Sequence, residues 1–390
     1  MNSVLNIENF SPDKNSPVPL HLQLTEALLR ELRTTPVTVG TLLLPSERFL
    51  VSSLKLDRST VHRAYAELLE RELVTRNPDK SLAIRRNARR KLQGPFPLIG
   101  LVLPVSFSEY VEQHGQRSFQ YIKGIINRAE EREISIVMLR LPKPEASSAE
   151  IGRFIRERCE VLSGLIHLGD RGVAEDRVFR EVTGCRHIPQ IFISGWLEYA
   201  HIGSVCTADF PAAAELIGIL RDRGIRRAGI VDFDGIRTGG SHEYHYASTH
   251  RMQSFREALE AAGIAAAERD LLTVPGEGDP REAIFRLVSK RRRELPEFFW
   301  CINDDVADTL IEALEAAGVR VPEEVAVAGY DGYRKECRTK RSITSIAQPF
   351  FELGSLAVDR IMEYFDKGIT EKNRMSKLPG IFIPGETIKP

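Results

Sequence analysis

Residues 97–390 alternate between short apolar runs and helical patterns, and this alternation restricts the possible folds more than any other feature of the chain. The runs are rich in β-branched and aromatic residues, which is typical of strands that are buried on both faces. The segments between them, such as SFQYIKGIINRAEER, repeat apolar residues at helical spacing. The pattern predicts parallel sheets covered by helices, in two lobes, because this length exceeds what one core usually supports. The predicted strands are LIGLVL (98–103), ISIVML (134–139), GLIHL (164–168), QIFIS (190–194), RAGIVD (227–232), FFWCI (298–302) and VAVAG (325–329).

In folds of this class, ligands bind in a crevice at the carboxyl ends of the strands, so we expect a cleft between the lobes. The chain contains no GxGxxG, Walker A, GxSxG or HExxH motif. It therefore predicts neither an enzyme with a catalytic site of these types nor a bound cofactor. The loop GGSHEYHYASTH (239–250) holds three histidines, which leaves a metal site open, but the spacing fits no standard zinc site and favours a polar loop that lines the cleft.

The formal net charge of +0 conceals a difference between the two parts of the chain. Residues 1–95 carry 15 Lys and Arg against 10 Asp and Glu, whereas residues 96–390 carry 39 against 44. Five basic residues lie between Arg85 and Lys91. This asymmetry indicates either a module that binds a polyanion or a solvated linker with a chance cluster of charge.

The remaining composition favours a cytoplasmic protein. The 42% hydrophobic and 28% charged content is ordinary for a globular protein, and no apolar stretch approaches the roughly 20 residues of a membrane span. The polar N-terminus shows no secretory signal. The five cysteines are scattered and form no CxxC pair, so we expect neither disulfides nor a zinc knuckle.

The first 85 residues predict three short helices followed by a hairpin. Helices are expected after Pro19, after Ser46 as an N-cap, and after Asp57 as a second N-cap. Two extended pieces, VTR and LAIRR, flank the turn-rich tip NPDKS. The elements together predict a winged helix-turn-helix, mainly α-helical with a β-hairpin wing.

The third helix has the two faces that a DNA-recognition helix needs. One face is an apolar stripe, and the other shows Arg58, Ser59, Thr60, His62 and Arg63. Arginine can form a bidentate pair with guanine, and small polar side chains can contact phosphates. A three-helix protein-binding module would have the same periodicity, but the basic exposed face favours DNA.

Two segments here carry a family resemblance. PLHLQLTEALLREL and LLLPSERFLVSSLKLDRSTVHRAYAELLERELVTR resemble the GntR winged-helix DNA-binding domain. The resemblance implies that Arg48, Arg58 and Thr60 contact DNA. His62 stands where the family often has arginine, and the wing tip with Lys80 lacks the usual glycines, so wing contacts beyond the DNA backbone stay open.

A second resemblance covers most of the remaining chain. CINDDVADTLIEALEAAGVRVPEEVAVAGYDG and SITSIAQPFFELGSLAVDRIMEYFDKG resemble the effector domain of LacI-type repressors, a relative of periplasmic sugar-binding proteins. The resemblance implies two lobes joined by three crossovers, near Cys206, Ser345 and Leu378. The combination of a GntR-type head and a LacI-type body resembles the arabinose-repressor subgroup.

The second resemblance also implies that Arg251, Asn303 and Asp331 contact the effector. Arginine offers a fork of donors and aspartate accepts two hydroxyls, which suits a sugar. Three simpler interpretations stay open: Asp331 and Asn303 as helix caps, and Arg251 as a surface residue. Aromatic rings that could stack on a sugar, and polar residues at strand ends or helix starts, complete the predicted set: Phe107, Trp196, Phe350, Ser194 (where many sugar-binding members have aspartate) and Gln348.

These predictions combine into a transcriptional regulator, most simply a repressor, which is controlled by a mono- or disaccharide and binds a palindromic operator as a homodimer. A sugar-binding protein or an enzyme of the cleft without a regulatory role is the alternative. The expected boundaries are residues 1–85 for the head, 86–96 for a basic linker and 97–390 for the body, with lobe one at 97–205 plus about 346–377 and lobe two at 206–345 plus about 378–390.

Overall fold

The structure is a computed structural model. It describes residues 3–7, 10–34, 42–85, 88, 97–103, 106–159, 161–168, 177–186, 188–194, 201–233, 246–274, 279–332 and 338–389. The basic linker lies outside the described residues except for Ala88, and so does Trp196.

The head contains the three predicted helices, each with one buried face. They are α1 (Leu20–Thr34), α2 (Glu47–Leu54) and α3 (Arg58–Glu70). The Ser46 hydroxyl accepts a hydrogen bond from the Phe49 amide at 3.2 Å, so the predicted cap of α2 is confirmed. Asp57 occupies the N-cap of α3 without a side-chain capping bond. Leu50 is the buried residue of α2, whereas the neighbouring Phe49 is exposed.

A small sheet completes the head. Its strands are β1 (Ser3–Val4), β2 (Leu42–Leu43), β3 (Val74–Arg76) and β4 (Leu82–Ile84), in the order β1-β2-β4-β3. The antiparallel pair β3–β4 is the predicted wing. The N-terminal strand was not predicted: β1 pairs in parallel with β2, and the following Leu5 and Ile7 are buried in the head core.

The body begins with a six-stranded parallel sheet. Its strands are β5 (Leu98–Leu103), β6 (Ser135–Arg140), β7 (Gly164–Leu168), β8 (Gln190–Ile193), β9 (Ile202–Ala208) and β15 (Met375–Pro379), in the order β15-β9-β8-β7-β5-β6. The helices of this part are α4 (Phe107–Glu131), α5 (Ser148–Phe154, continued by a π-helical turn at Ile155–Cys159), α6 (Arg177–Thr183) and α11 (Phe350–Lys367). Two clusters of buried apolar residues, one containing Leu101 and the other Leu165, form the core of this part.

A second, four-stranded parallel sheet follows. Its strands are β10 (Ala228–Phe233), β11 (Leu271–Val274), β12 (Phe298–Cys301) and β13 (Ala326–Ala328), in the order β11-β10-β12-β13. The helices are α7 (Asp209–Asp222), α8 (Tyr246–Ala261), α9 (Pro280–Arg291) and α10 (Asp304–Ala316), with 3-10 turns at Glu268–Asp270 and Arg292–Glu294. Its core includes the stacked rings of Phe255 and Trp300.

Three segments join the two sheets. The first sheet's β9 runs to Ala208, and α7 starts at Asp209. The other two segments contain β14 (Ser345–Ala347) and β16 (Ile381–Ile383), which pair antiparallel with each other. The predicted fold class is confirmed: a helix-turn-helix head is followed by an α/β body with parallel sheets. No helix within the described ranges is long and apolar enough to cross a membrane.

Candidate functional site

The third helix of the head presents a polar, basic face to solvent. Val61, Ala64, Tyr65 and Leu68 are buried and fix its opposite face against the core. The predicted DNA contacts lie within its first two turns, and all but the half-buried Thr60 are exposed: Arg58, Ser59, Thr60, His62 and Arg63. Since a single α-helix fits the major groove, this face can approach base edges.

Glu47, at the start of α2, contacts two of these residues. Its carboxylate lies 3.8 Å from Arg58 Nε and 3.2 Å from His62 Nδ1. The Tyr65 hydroxyl donates to the Pro45 carbonyl at 2.5 Å and so ties α3 to the turn before α2. Sequence reasoning missed Glu47, although its place beside Arg48 in the PSER motif was a usable signal.

The remaining head predictions lie on α2 and on the wing. Arg48 is exposed on α2, and Lys80 is exposed at the wing tip with a left-handed φ of 69°. Asp79 accepts from the Ser81 amide and hydroxyl, and these bonds lower the pKa of its carboxyl. The wing tip is thus an ordered turn that is held without glycine.

In the body, Arg251 and Asp331 lie close together. The Arg251 guanidinium stacks over the Tyr330 ring, with 3.6 Å between Cζ and the ring centroid. Its Nη1 donates to the Ile302 carbonyl at 2.9 Å and lies 3.9 Å from Asp331 Oδ1. Only 11% of its side chain is exposed, which rules out the surface interpretation. Its Nε is buried and has no hydrogen-bond partner among the described residues.

Asp331 is held in place by backbone and side-chain bonds. Its φ of 97° is a conformation that few residues other than glycine adopt, and such strain is found most often at functional positions. Its amide donates to the Ile346 carbonyl at 2.9 Å, and its Oδ1 accepts from Gln348 Nε2 at 2.6 Å. Gln348 Oε1 in turn accepts from the Thr207 hydroxyl at 2.9 Å. The predicted residues Asp331 and Gln348 therefore touch each other directly.

A third group comes from the first sheet and its helices. Ser194 follows β8 with a left-handed φ of 57°, and its Oγ lies 2.5 Å from the Tyr121 hydroxyl. The Tyr121 ring meets the Phe350 ring edge-on at 5.0 Å. Burial raises the pKa of Tyr121, so this phenol stays protonated and can donate. Tyr121 also lies within electrostatic range of Asp331 and Arg251, which brings this group to the same region.

Asn303 has a structural role. Its Oδ1 accepts from the Val306 amide at 2.9 Å and so caps α10, which is the simpler interpretation that the sequence left open. Asp304, the next residue, is buried and accepts from the Ser345 hydroxyl at 2.6 Å. The ND pair thus ties α10 to the segment that contains β14.

The structure does not bring every predicted residue into this region. Phe107, the first residue of α4, is 40% exposed, and no contact places it beside Arg251 or Asp331. Trp196 and loop residues 239–245 lie outside the described residues, so the prediction for Trp196 and the alternative of a histidine metal site are not tested. Within the described ranges, no three His, Cys, Asp or Glu side chains are grouped as they would be around a metal ion.

Four residues of this region were missed from the sequence: Thr207, Asp209, Tyr121 and Tyr330. Tyr330 precedes Asp331 in the GYD segment, so adjacency could have identified it. The Tyr330 hydroxyl donates to the Asp209 carboxylate. Thr207 and Tyr121 carry no local signal, because their partners are distant in sequence.

Comparisons with known proteins agree with both sequence resemblances. Residues 20–84 match the bacterial regulatory proteins of the gntR family. Residues 217–388 match the periplasmic binding protein-like domain.

Two curated relatives show how far the similarity extends. Catabolite control protein A of Staphylococcus aureus is 25% identical over 213 residues, which is 54% of this chain and 60% of that protein. The chain therefore spans about 60% of the length of this relative. The arabinose metabolism transcriptional repressor of Geobacillus stearothermophilus is 22% identical over 92% of this chain and 94% of that protein.

A solved structure, the lac repressor dimer bound to operator and the anti-inducer ONPF, has the same fold as the body. Its TM-score is 0.55 at 18% identity, and the alignment covers 78% of this chain and 99% of that chain. Both predicted resemblances are confirmed. The chain thus joins a region that matches the bacterial gntR regulatory proteins to a region that matches the periplasmic binding protein-like domain.

Proposed function

We propose that this protein is a transcriptional regulator, most simply a repressor, whose binding to DNA is controlled by a small sugar. The observation that carries the proposal is one chain with two separate sites. A basic, solvent-facing recognition helix lies in the head, and a buried cluster of Arg251, Asp331 and Tyr330 lies in the body. The similar arabinose metabolism transcriptional repressor supports the proposal, because its alignment covers 92% of this chain and so includes both regions.

The head is proposed to bind double-stranded DNA. In this proposal Arg58 and Thr60 contact base edges, and the remaining residues contact phosphates or neighbouring bases: Ser59, His62, Arg63 and Arg48. Lys80 at the wing tip is a backbone contact. We propose a homodimer on a palindromic operator, as for the lac repressor, whose structure is a dimer bound to operator.

The body is proposed to bind a mono- or disaccharide. The buried Arg251 Nε has a free donor position, and the Asp331 carboxylate can accept from sugar hydroxyls. The proposed site also includes three polar residues that would contact the sugar: Asn303, Ser194 and Gln348. Three aromatic rings are proposed to stack on it: Phe350, Trp196 and Phe107. The name of the Geobacillus relative makes L-arabinose the first sugar to test.

The domain boundaries and the location are part of the same proposal. The head covers residues 1–85, the basic linker 86–96 and the body 97–390, with lobe one at 97–205 plus about 346–377 and lobe two at 206–345 plus about 378–390. We propose a cytoplasmic regulator without enzymatic activity and without a cofactor, because the similar Geobacillus protein is named a transcriptional repressor.

Binding to DNA from the region upstream of the protein's own gene tests the head. We expect Arg58→Ala to abolish specific binding, because the substitution removes an exposed guanidinium from the recognition face. Arg320→Ala, which removes an exposed arginine from the body, is the matched control and should leave binding unchanged. Specific binding that survives Arg58→Ala would exclude α3 as the recognition helix.

A thermal-shift screen with L-arabinose, ribose and lactose tests the body, because a ligand that binds only the folded state raises its stability. We expect one sugar to raise the melting temperature of the wild-type protein, and Arg251→Ala to lose that shift. A shift that persists in Arg251→Ala would place the sugar elsewhere.

A further inference from the structure

The first crossover between the two sheets, residues 207–209, is connected to Asp331 and to Arg251, the two proposed effector-binding residues. Each connection runs through one intermediate residue. Thr207 lies near the end of β9 in the first sheet, and Asp209 is the first residue of α7 beside the second sheet. Their side chains therefore stand on either side of the point where the chain changes lobes. Any movement of one lobe relative to the other changes the backbone between them.

The first connection runs from Asp331 through Gln348 to Thr207. A carboxylate only accepts hydrogen bonds, so the Gln348 amide must turn its NH2 toward Asp331, at 2.6 Å. Its carbonyl oxygen then faces the Thr207 hydroxyl at 2.9 Å, which must donate. The orientation of Gln348 is thus determined at both ends.

The second connection runs from Arg251 through Tyr330 to Asp209. The Arg251 guanidinium lies 3.6 Å from the centroid of the Tyr330 ring. The Tyr330 hydroxyl donates to the Asp209 carboxylate. Burial raises the pKa of Tyr330 well above its ordinary value, so the phenol keeps the proton that it donates.

We infer that the first crossover senses occupancy of the cleft through these two connections, with Gln348 and Tyr330 as positioning residues and Thr207 and Asp209 as the residues that receive the change. The inference rests on the proposed sugar site. A sugar hydroxyl that donates to Asp331 competes with Gln348 for the carboxylate, and an oxygen that accepts from Arg251 Nε pulls the guanidinium relative to the Tyr330 ring. Both effects act on the backbone at 207–209, whose course sets the angle between the lobes.

Thr207 is buried, with 7% of its surface exposed. A role in hydrogen bonding and a role in packing predict opposite effects for two substitutions of this residue. Thr207→Val keeps the shape and removes the donor, whereas Thr207→Ser keeps the donor and removes a methyl group. If the hydrogen bond positions Gln348, the serine variant resembles the wild type and the valine variant does not. If Thr207 acts only by packing, the order is reversed.

Hydrogen–deuterium exchange of the full-length protein without sugar tests the first connection. We expect Thr207→Val to increase exchange several-fold in peptides that cover 329–332 and 345–348, where the Asp331 amide bonds to the Ile346 carbonyl. Thr207→Ser should remain near the wild type. Thr183→Val is the control, because it removes a buried hydroxyl that bonds to the Phe179 carbonyl within α6. Wild-type exchange in Thr207→Val, or equal increases in both variants, would overturn the inference.

A double-mutant cycle tests whether the two connections meet at the same crossover. Tyr330→Phe keeps the ring under Arg251 and removes the hydrogen bond to Asp209. Tyr364→Phe is its control, because it removes a tyrosine hydroxyl that donates to the Asn373 carbonyl. We expect the effects of Thr207→Val and Tyr330→Phe on exchange to be non-additive. Additive effects would show two independent contacts and would overturn the convergence.

Calorimetric titration of L-arabinose, ribose and lactose then separates this inference from the proposed function. With a sugar that binds the wild type, we expect Thr207→Val to change its affinity at least threefold and Thr207→Ser to preserve it; unchanged affinity in the valine variant would count against a role in sensing. If none of the three sugars binds the wild type, the proposed sugar site fails for these probes, and the sensing role falls with it. The exchange experiments still decide whether the connections exist.

Discussion

At the scale of single residues, the two sites differ in how much of their chemistry is exposed. The head places Arg58 in solvent with 86% of its side chain exposed, whereas the body buries Asp331 almost completely. An exposed cation can meet DNA with little loss of hydration, and its contribution depends on salt. A buried carboxylate needs its partners in place before the ligand arrives, because leaving it unpaired is costly.

Glu47 limits the positive charge of the recognition face, since it lies beside both Arg58 and His62. We predict that Glu47→Gln raises the affinity for non-specific duplex DNA roughly three- to tenfold, because a negative charge near the phosphates is removed. The ratio of specific to non-specific affinity should fall. Fluorescence anisotropy with a random duplex measures the change, and Glu70→Gln, at the C-terminal end of α3, is the control. Equal affinities for wild type and Glu47→Gln would mean that this carboxylate does not face the DNA.

His167 predicts a pH dependence of stability in the first sheet. The ring is buried, stacks on Phe192 at 4.6 Å and bonds to Gln190 through Nε2. Burial lowers the pKa of His167 to about 4. Because this value lies below that of an unfolded histidine, about 6.5, the contribution is complete above pH 6.5 and is lost as the pH falls toward 4.

The loss by pH 4 should be about 3 kcal/mol of the free energy of unfolding. Urea unfolding followed by circular dichroism, compared between wild type and His167→Phe from pH 7 to pH 4, measures it. We expect the wild type to lose more stability than the variant over this range. Parallel pH curves for the two proteins would contradict a neutral, buried His167.

At the scale of elements, the sequence predicted those whose signal is local. Apolar runs such as LIGLVL predicted buried strands because both faces of a parallel sheet are covered. The cap at Ser46 was predicted because it depends only on the next three residues. The strands at 3–4, 42–43, 202–208, 271–274, 345–347 and 375–383 were not predicted. Two reasons are local: β1 has only two residues, and β15 (MSKLP) contains no continuous apolar run. The pairing of Thr207 with Gln348 could not be predicted, because 141 positions separate them in the chain.

The contact between α4 and α11 depends on two glycines, Gly124 on α4 and Gly354 on α11, each of which faces the other helix. A Cβ at Gly354 would lie 2.2 Å from the Tyr121 carbonyl oxygen, whereas a Cβ at Gly218 on α7 would meet nothing within 4 Å. We predict that Gly354→Ala destabilises the protein by about 1–3 kcal/mol, because the helices must separate. Gly218→Ala should stabilise by about 0.5–1 kcal/mol, because alanine favours a helix.

Chemical denaturation measures both glycine variants. Gly354→Ala should also weaken sugar binding, because Tyr121 on α4 carries the hydroxyl that bonds to Ser194. A neutral Gly354→Ala would show that the two helices are not in close contact at this position.

At the scale of the whole molecule, a net charge of zero is the sum of two parts with different partners. The head and linker are basic, as a DNA-binding module needs, and the acidic body lowers the attraction of the whole protein for DNA of arbitrary sequence. This division explains how a chain with a pI of about 7.1 can contain a recognition helix with an exposed basic face. It also means that affinity for DNA depends on which basic residues lie near the phosphates and not on the total charge.

The segment RRNARRK at 85–91 places five basic residues directly after the wing. If each contacts one phosphate, replacing all five by glutamine should reduce the slope of log affinity against log salt by about 4.5 per head, since each neutralised phosphate contributes about 0.9. Filter binding from low to high potassium chloride measures the slope. Substituting five exposed arginines of the body by glutamine, Arg153, Arg156, Arg221, Arg286 and Arg320, is the matched control and should leave the slope unchanged. A linker variant with the wild-type slope would mean that the linker only connects the two domains and that the recognition helix and the wing make all the phosphate contacts.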